Sequence, residues 1–178
     1  MAKRKPTRLA NKTTLLVMGE GEHDKAFLSH MKGIYHERRS GSKITLDFSS
    51  GGSPHDIIKD TVKKSRHVDY DQKFILMDND VPIKQEDIKA AKDSGIAILY
   101  SEPLCLEGML LSILAQNVPS TAQKCKSVLH PQLSDKPALS KSYEPLFAKP
   151  VLDKTNQATV VTLRSLLGNK QKKSPSHI

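Results

Sequence analysis

The sequence is poor in several features that would indicate particular classes of protein. It has no tryptophan, two cysteines and 4% aromatic residues in a chain of 178 residues. Cys105 and Cys125 are far apart and match no metal-ligand spacing, so they predict neither a disulfide framework nor a cysteine zinc site. No apolar run is long enough to span a bilayer, and the N-terminus lacks the apolar core of a signal peptide. We therefore expect a cytoplasmic protein without a membrane partner.

Acidic residues are absent from both ends of the chain. Residues 1–12 and 164–178 carry only basic charges, while the region between them has equal numbers of bases and acids. Basic ends can bind DNA or RNA, because each neutralised phosphate releases counterions. A solubilising, disordered end is an equally good interpretation, and a membrane surface is disfavoured because neither end shows an amphipathic apolar face. The candidate nucleic-acid-binding residues are Lys3, Arg4, Lys5, Arg8, Lys170, Lys172 and Lys173.

Between these ends, short apolar runs alternate with amphipathic segments. The runs predict four strands, at 13–18, 44–48, 73–77 and 96–100. The first run is continuously apolar, as is typical of a strand covered on both faces, whereas the second alternates and favours a position nearer an edge. Five helices are predicted. The first ends near Gly33, and the second is capped by Ser53 with Pro54 at its first position. The others are predicted near 84–94, at 104–114, where the helix is buried, and near 156–167.

This alternation predicts an α/β fold with a parallel sheet of about four strands flanked by helices. We expect the α/β domain to occupy residues 13–117. A small C-terminal helical extension, at 118–167, is expected to pack on that domain. The remaining segments, 1–12 and 168–178, are expected to be basic tails, the first of them flexible.

Four carboxylates follow the predicted strands. Glu20 lies in the turn after the first strand, and Asp78 and Asp80 follow the third. The carboxyl ends of parallel strands meet at one edge of a sheet, so we expect these acids to lie close together. Glu107 follows the fourth strand within a leucine-rich run, where an uncompensated carboxylate would cost several kcal/mol. We expect Glu107 to reach the same crevice, with Glu102 as the nearby alternative.

Each acid also has a plain structural interpretation. Glu20 fits an ordinary strand-to-helix turn, the Asp-x-Asp pair fits a solvated turn, and Glu107 could point outward or pair with an arginine. Together the acids favour Mg²⁺ or Mn²⁺, which prefer oxygen ligands and bridge to substrate phosphates. No set of histidines and cysteines at zinc spacing competes with this interpretation, and His23 is interpreted as a helix-surface residue.

The motifs resemble the Toprim domain of topoisomerases, primases and OLD-type nucleases, and its RloB-like branch in particular. The resemblance covers about residues 13–115 and is carried by Glu20-Gly21-Glu22-His23-Asp24, Gly51-Gly52-Ser53-Pro54, Tyr70-Asp71, Asp78-x-Asp80, and Ser101, Pro103 and Glu107 before leucines. It implies a Toprim fold that binds Mg²⁺ through Glu20, Asp78 and Asp80, with Glu107 as a further family acid. It also implies a nuclease associated with bacterial defence against phage. Gly19, Val81 and Gly108 depart from the residues usual in that family.

Two functions fit these observations. In the first, the protein is a Mg²⁺-dependent nucleic-acid phosphodiesterase in which Asp78 and Asp80 hold the metal, and a protein of a defence system is a possible partner. Glu20 would bind metal or act as general base, and Glu107 would complete or orient the site. The cation that steadies the transition state would be Lys25, Lys84 or Lys124. In the second, the protein is a catalytically idle module whose basic tails bind nucleic acid or a partner protein.

Overall fold

A parallel sheet lies at the centre of the computed structural model, which describes residues 13–169. The first part of the chain alternates strands and helices: β1 (Thr13–Gly19), α1 (Glu22–Tyr35), β2 (Ser42–Phe48), α2 (Pro54–His67), β3 (Gln72–Asp78), α3 (Gln85–Asp93), β4 (Ile96–Ser101) and α4 (Leu106–Ile113). The rest is helical: α5 (Ala122–Leu129), 3₁₀ turns at His130–Gln132 and Ser140–Tyr143, α6 (Lys149–Lys154) and α7 (Ala158–Leu167).

The sheet has the strand order β2-β1-β3-β4, and all of its neighbouring strands are parallel. The predicted fold class is therefore confirmed: residues 13–169 form an α/β fold with a four-stranded parallel sheet flanked by seven α-helices, consistent with a Toprim-like fold. The alternating strand β2 lies at an edge, and the continuously apolar β1 lies inside the sheet, as their patterns predict. Because the strands are parallel, the carboxyl ends of all four point to the same side.

Several helix boundaries follow from local chemistry. Ser53 caps α2 in a capping box with Asp56, and Pro54 takes the first helical position, as predicted. The helix α1 ends at Tyr35, two residues after Gly33, near which its end is predicted. The region 118–150, where the sequence shows no long period, contains short helices and 3₁₀ turns. Within the described part of the chain, no helix has the length and apolar character required to cross a membrane.

The two faces of the sheet are covered by different parts of the chain. On one face, α2 and α3 pack against alternate residues of β1 and β3, including Leu16, Ile75 and Met77. On the other face, the intervening residues of the strands join a larger core with α1, α4 and the C-terminal helices. Burial of both faces explains why the central strands read as continuous apolar runs.

Aromatic side chains join the C-terminal segment to α1. The Phe27 ring is fully buried, and its centroid lies 5.7 Å from that of Tyr143 and 6.1 Å from that of Phe147, both in edge-on arrangements. The backbone oxygen of Phe147 also lies 2.7 Å from Nε2 of the buried His30. The segment after α5 therefore completes the core on this face of the sheet.

We expect Phe147→Ala to lower the free energy of unfolding by roughly 3–5 kcal/mol, because it removes a fully buried ring and leaves a cavity. The matched control is Val161→Ala on α7, whose side chain is 40% exposed and should cost far less. Urea unfolding followed by circular dichroism measures both. An effect of Phe147→Ala no larger than that of Val161→Ala would contradict the joint core.

Candidate functional site

Glu20 and Asp78 meet at the carboxyl edge of the sheet. Asp78 is the last residue of β3, Glu20 directly follows β1, and these two strands are neighbours. The backbone N–H of Asp78 donates a hydrogen bond of 3.0 Å to Oε2 of Glu20. The structure thus brings these two predicted site residues together, although their roles remain predictions.

Asp78 occupies an environment that disfavours its negative charge. Burial raises the pKa of Asp78 to about 7, and the nearby charge of Glu20 acts in the same direction. The backbone N–H of Leu106, at the start of α4, donates a hydrogen bond of 3.0 Å to Oδ1 of Asp78 and partly offsets the shift. The first turn of α4 therefore fixes the orientation of this carboxyl group.

A further carboxylate, Asp24 on α1, lies in the same place, and it is absent from the predicted site residues. Its side chain is 6% exposed, and burial together with the charge of Asp78 raises its pKa well above the usual value. Oδ2 accepts a 2.9 Å hydrogen bond from the backbone N–H of Gly21, but Oδ1 has no hydrogen-bond partner among residues 13–169. Gly19 makes room for Asp24, since a Cβ at residue 19 would lie 2.6 Å from the Cβ of Asp24. We call Glu20, Asp24 and Asp78 the carboxylate edge.

Asp80, the second acid of the Asp-x-Asp pair, lies outside this group. Its side chain is exposed, and its charge contributes only a minor part of the raised pKa of Asp78. The residue between them, Asn79, bonds through its side-chain amide to Oε1 of Glu102, at 3.0 Å. Glu102, the alternative to Glu107, therefore lies in the exposed loop after β4 and is bonded to the turn after β3.

Glu107 is buried, but its partners are not those expected from the sequence. The side chain is 3% exposed, and Oε1 lies 2.8 Å from Nε2 of His130 and 3.4 Å from Nδ1 of His23. The interpretation of His23 as an ordinary helix-surface residue is wrong, because α1 turns it toward Glu107. The expectation that no histidine set competes for a metal is also wrong: the donor atoms of His23, Glu107 and His130 lie within 4.8 Å of one another and could hold a metal ion.

A pocket of about 290 Å³ connects these groups. Of the described residues, those that line it are Glu20, Gly21, Glu22, His23, Asp24, Gly51, Asp78, Leu106, Glu107 and Lys126. Asp80 is not among them, and neither are the candidate cations Lys25, Lys84 and Lys124. Lys126 on α5 does line this pocket, and no sequence pattern points to it because no helix is predicted over α5.

Asp71 and Ser101, which belong to the sequence motifs, do not line the pocket. The carboxylate of Asp71 accepts hydrogen bonds from the backbone N–H and the hydroxyl of Thr14, at 2.6 and 2.9 Å, so it joins the beginnings of β1 and β3. Ser101 is fully buried at the end of β4. The predicted nucleic-acid-binding residues Lys3, Arg4, Lys5, Arg8, Lys170, Lys172 and Lys173 lie outside the described residues.

The raised pKa of Asp78 predicts a pH dependence of stability. The folded state holds this proton up to about pH 7, whereas the unfolded chain releases it near pH 3.8. Between these values the folded state binds more protons, so ionisation of Asp78 lowers the free energy of unfolding as the pH rises. Asp78→Asn should therefore raise Tm at pH 8 by roughly 2–4 °C or more, equivalent to at least about 1 kcal/mol, and have less effect at pH 4.

Thermal unfolding from pH 4 to pH 8, without divalent cations, measures this difference. Asp93→Asn is the control, because Asp93 is exposed on α3 and makes only a surface ion pair with Lys89. A Tm change for Asp78→Asn that is the same at both ends of the pH range would contradict the assignment.

Comparison of the chain with protein-family models, with curated proteins and with solved structures found no match.

Proposed function

We propose that this protein is a Mg²⁺-dependent nucleic-acid phosphodiesterase of the Toprim type, with the carboxylate edge as its active site. The observation that carries the proposal is the convergence of Glu20, Asp78 and Asp24 on one pocket, where Asp24 keeps a buried oxygen without a partner in residues 13–169. Repulsion within such a group of acids lowers the free energy of unfolding unless a cation neutralises their charge. The sequence resemblance implies a nuclease of bacterial defence against phage.

The donor groups of the edge suit a hard divalent cation. All of them are carboxylate oxygens, and Mg²⁺ is usually bound by one or two carboxylates, several waters and the phosphates of a substrate. Asp78 would be a direct ligand, Glu20 would bind the ion or act as general base, and the buried Oδ1 of Asp24 would be a further oxygen beside them. Asp80 is exposed and would add negative charge beside Asp78. Mn²⁺ has the same preference for oxygen and is expected to substitute.

The side chains of the pocket have distinct roles in this proposal. When bound, the ion would neutralise charge that develops on the phosphate and lower the pKa of the attacking water. The Asp78 N–H occupies Oε2 of Glu20, so Oε1 would either bind the ion or accept the proton of the attacking water. The Leu106 N–H keeps Asp78 in position, and Lys126 would attract the phosphate at the rim.

We expect the purified protein to cleave labelled nucleic acid with Mg²⁺ or Mn²⁺ and to lose this activity with EDTA. Single- and double-stranded DNA and RNA should all be tested. Glu20→Gln and Asp78→Asn should each lower the cleavage rate by at least about 100-fold, since each removes a charge from the reacting centre. The matched controls are Glu86→Gln and Asp93→Asn on α3, which are distant from the pocket and should retain wild-type rates.

A second readout separates metal binding from cleavage. At pH 8, millimolar Mg²⁺ should raise the Tm of the wild type more than that of Asp78→Asn, because the cation relieves the repulsion at the carboxylate edge. Wild-type cleavage by both Glu20→Gln and Asp78→Asn would exclude this active site. If there is no cleavage, and salt-sensitive binding of nucleic acid survives Asp78→Asn, the idle binding module is the better description.

Lys126 and Lys124 form a matched pair on α5. Lys126 lines the pocket, whereas Lys124 is exposed and does not. We expect Lys126→Gln to lower kcat/KM by about 10-fold or more, because it removes a positive charge beside the phosphate, and Lys124→Gln to have little effect. Steady-state cleavage assays with both variants measure the difference. Equal losses would show that α5 contributes only its overall positive charge.

A further inference from the structure

Three metal-ligating side chains from separate parts of the chain meet beside the carboxylate edge. His23 lies in the first turn of α1, Glu107 lies in the first turn of α4, and His130 directly follows α5. Both helix N-termini and the end of α5 are held by the same hydrophobic core, so these side chains are brought together by the fold. None of the three belongs to the carboxylate edge.

Two imidazoles face the same oxygen of the buried Glu107 carboxylate. His130 Nε2 lies 2.8 Å from Oε1, and His23 Nδ1 lies 3.4 Å from it. The two imidazole rings also meet each other edge-on, with centroids 5.0 Å apart and an interplanar angle of 86°. Two imidazolium charges so close together would repel, whereas a single cation can take a lone pair from each neutral ring and from the carboxylate.

We propose that His23 Nδ1, Glu107 Oε1 and His130 Nε2 form a binding site for a divalent transition-metal ion of the zinc class. Two imidazoles and one carboxylate are a ligand set that zinc uses in catalytic sites, and Mg²⁺ disfavours it because two of the donors are nitrogen. The site is thus chemically distinct from the proposed Mg²⁺ site, with which it shares no ligand.

Two of the three separations between donor atoms can be compared with the geometry of zinc. Ligand atoms on a tetrahedral zinc ion lie about 3.4 Å apart, given metal–ligand bonds of about 2.0–2.1 Å. The His23–Glu107 separation of 3.4 Å already matches this value. The His130–Glu107 separation of 2.8 Å would have to widen by about 0.6 Å, a movement within the reach of a partly exposed histidine side chain.

The position of the pocket indicates from which side water or a substrate would reach the proposed ion. His23 and Glu107 line the pocket that also contains Glu20 and Asp78. Three protein ligands leave a fourth position on zinc for water or substrate, which is the arrangement of catalytic rather than structural sites. The open position of the ion would face this pocket.

Co²⁺ tests the proposal, because it replaces zinc in such sites and its visible d–d absorption reports the ligand geometry. Chelator-treated protein should be titrated with Co²⁺ in the presence of excess Mg²⁺, which occupies the carboxylate edge. We expect one Co²⁺ per chain, the intense visible bands of a four- or five-coordinate ion, and loss of these bands on addition of Zn²⁺.

Ligand variants locate the ion. His23→Gln, Glu107→Gln and His130→Gln should each weaken Co²⁺ binding by more than about 100-fold, the upper range for residues that only orient a metal ligand. His55→Gln is the control, because His55 pairs with Asp87 on the far side of the sheet. Glu107 is buried and its variant could unfold, so the two histidine variants, verified by circular dichroism, carry the test.

Each outcome decides the question. Absence of the bands, or Co²⁺ binding that is unchanged in both histidine variants, would leave only a hydrogen-bonded cluster around Glu107 and overturn the proposal. Binding that is lost in Asp78→Asn but kept in the histidine variants would assign the ion to the carboxylate edge and also overturn it. Co²⁺ binding that is retained in Asp78→Asn and lost in the histidine variants supports the proposal. This result does not depend on whether the protein cleaves nucleic acid.

Discussion

Repulsion between carboxylates at one edge of the sheet is the constraint on which the rest of this structure depends. Asp24 and Asp78 are both disfavoured as anions, first by burial and then by the charges of Glu20 and Glu107, and Asp78 also disfavours the charge of Asp24. Backbone donors partly stabilise both carboxyl groups: the Gly21 N–H donates a hydrogen bond to Asp24, and the Leu106 N–H donates one to Asp78. Helix N-termini favour anions, but these bonds only partly offset the cost. A fold that keeps such a cluster gives up stability at this edge of the sheet.

The close approach of chain segments around this edge depends on two glycines. A Cβ at residue 19 would collide with Asp24, and a Cβ at residue 108 would collide with the backbone oxygen of Pro103. Both positions depart from the residues usual in the family that the sequence resembles, and in this chain both departures have a packing reason. Gly108 lets the first turn of α4 lie against the loop after β4, which brings Leu106 and Glu107 to the pocket.

The sequence predicted the fold better than the site. Strands buried on both faces and helices with clear caps leave local patterns in the sequence, and these patterns predict a parallel sheet. Because the carboxyl ends of parallel strands meet at one edge, the same patterns also predict that Glu20 and Asp78 lie close together. The histidines around Glu107 could not be found in this way, because residues 23, 107 and 130 are joined only by tertiary packing. Asp24 was visible as a helix residue, but its burial depends on Gly19. Lys126 was missed because α5 is too short for a clear period.

Thr13 and Asn169, the first and last described residues, lie close together at one edge of the sheet. The Thr13 N–H bonds to the backbone oxygen of Gly41, and the Asn169 side-chain amide bonds to that of Ser40, so both ends of the described chain meet beside the start of β2. The start of β2 lies at the opposite end of the strands from Glu20. The seven residues of β1 separate these two ends of the sheet by about 20 Å. The folded domain is therefore joined to both basic segments at Thr13 and Asn169, at the edge of the sheet opposite the pocket.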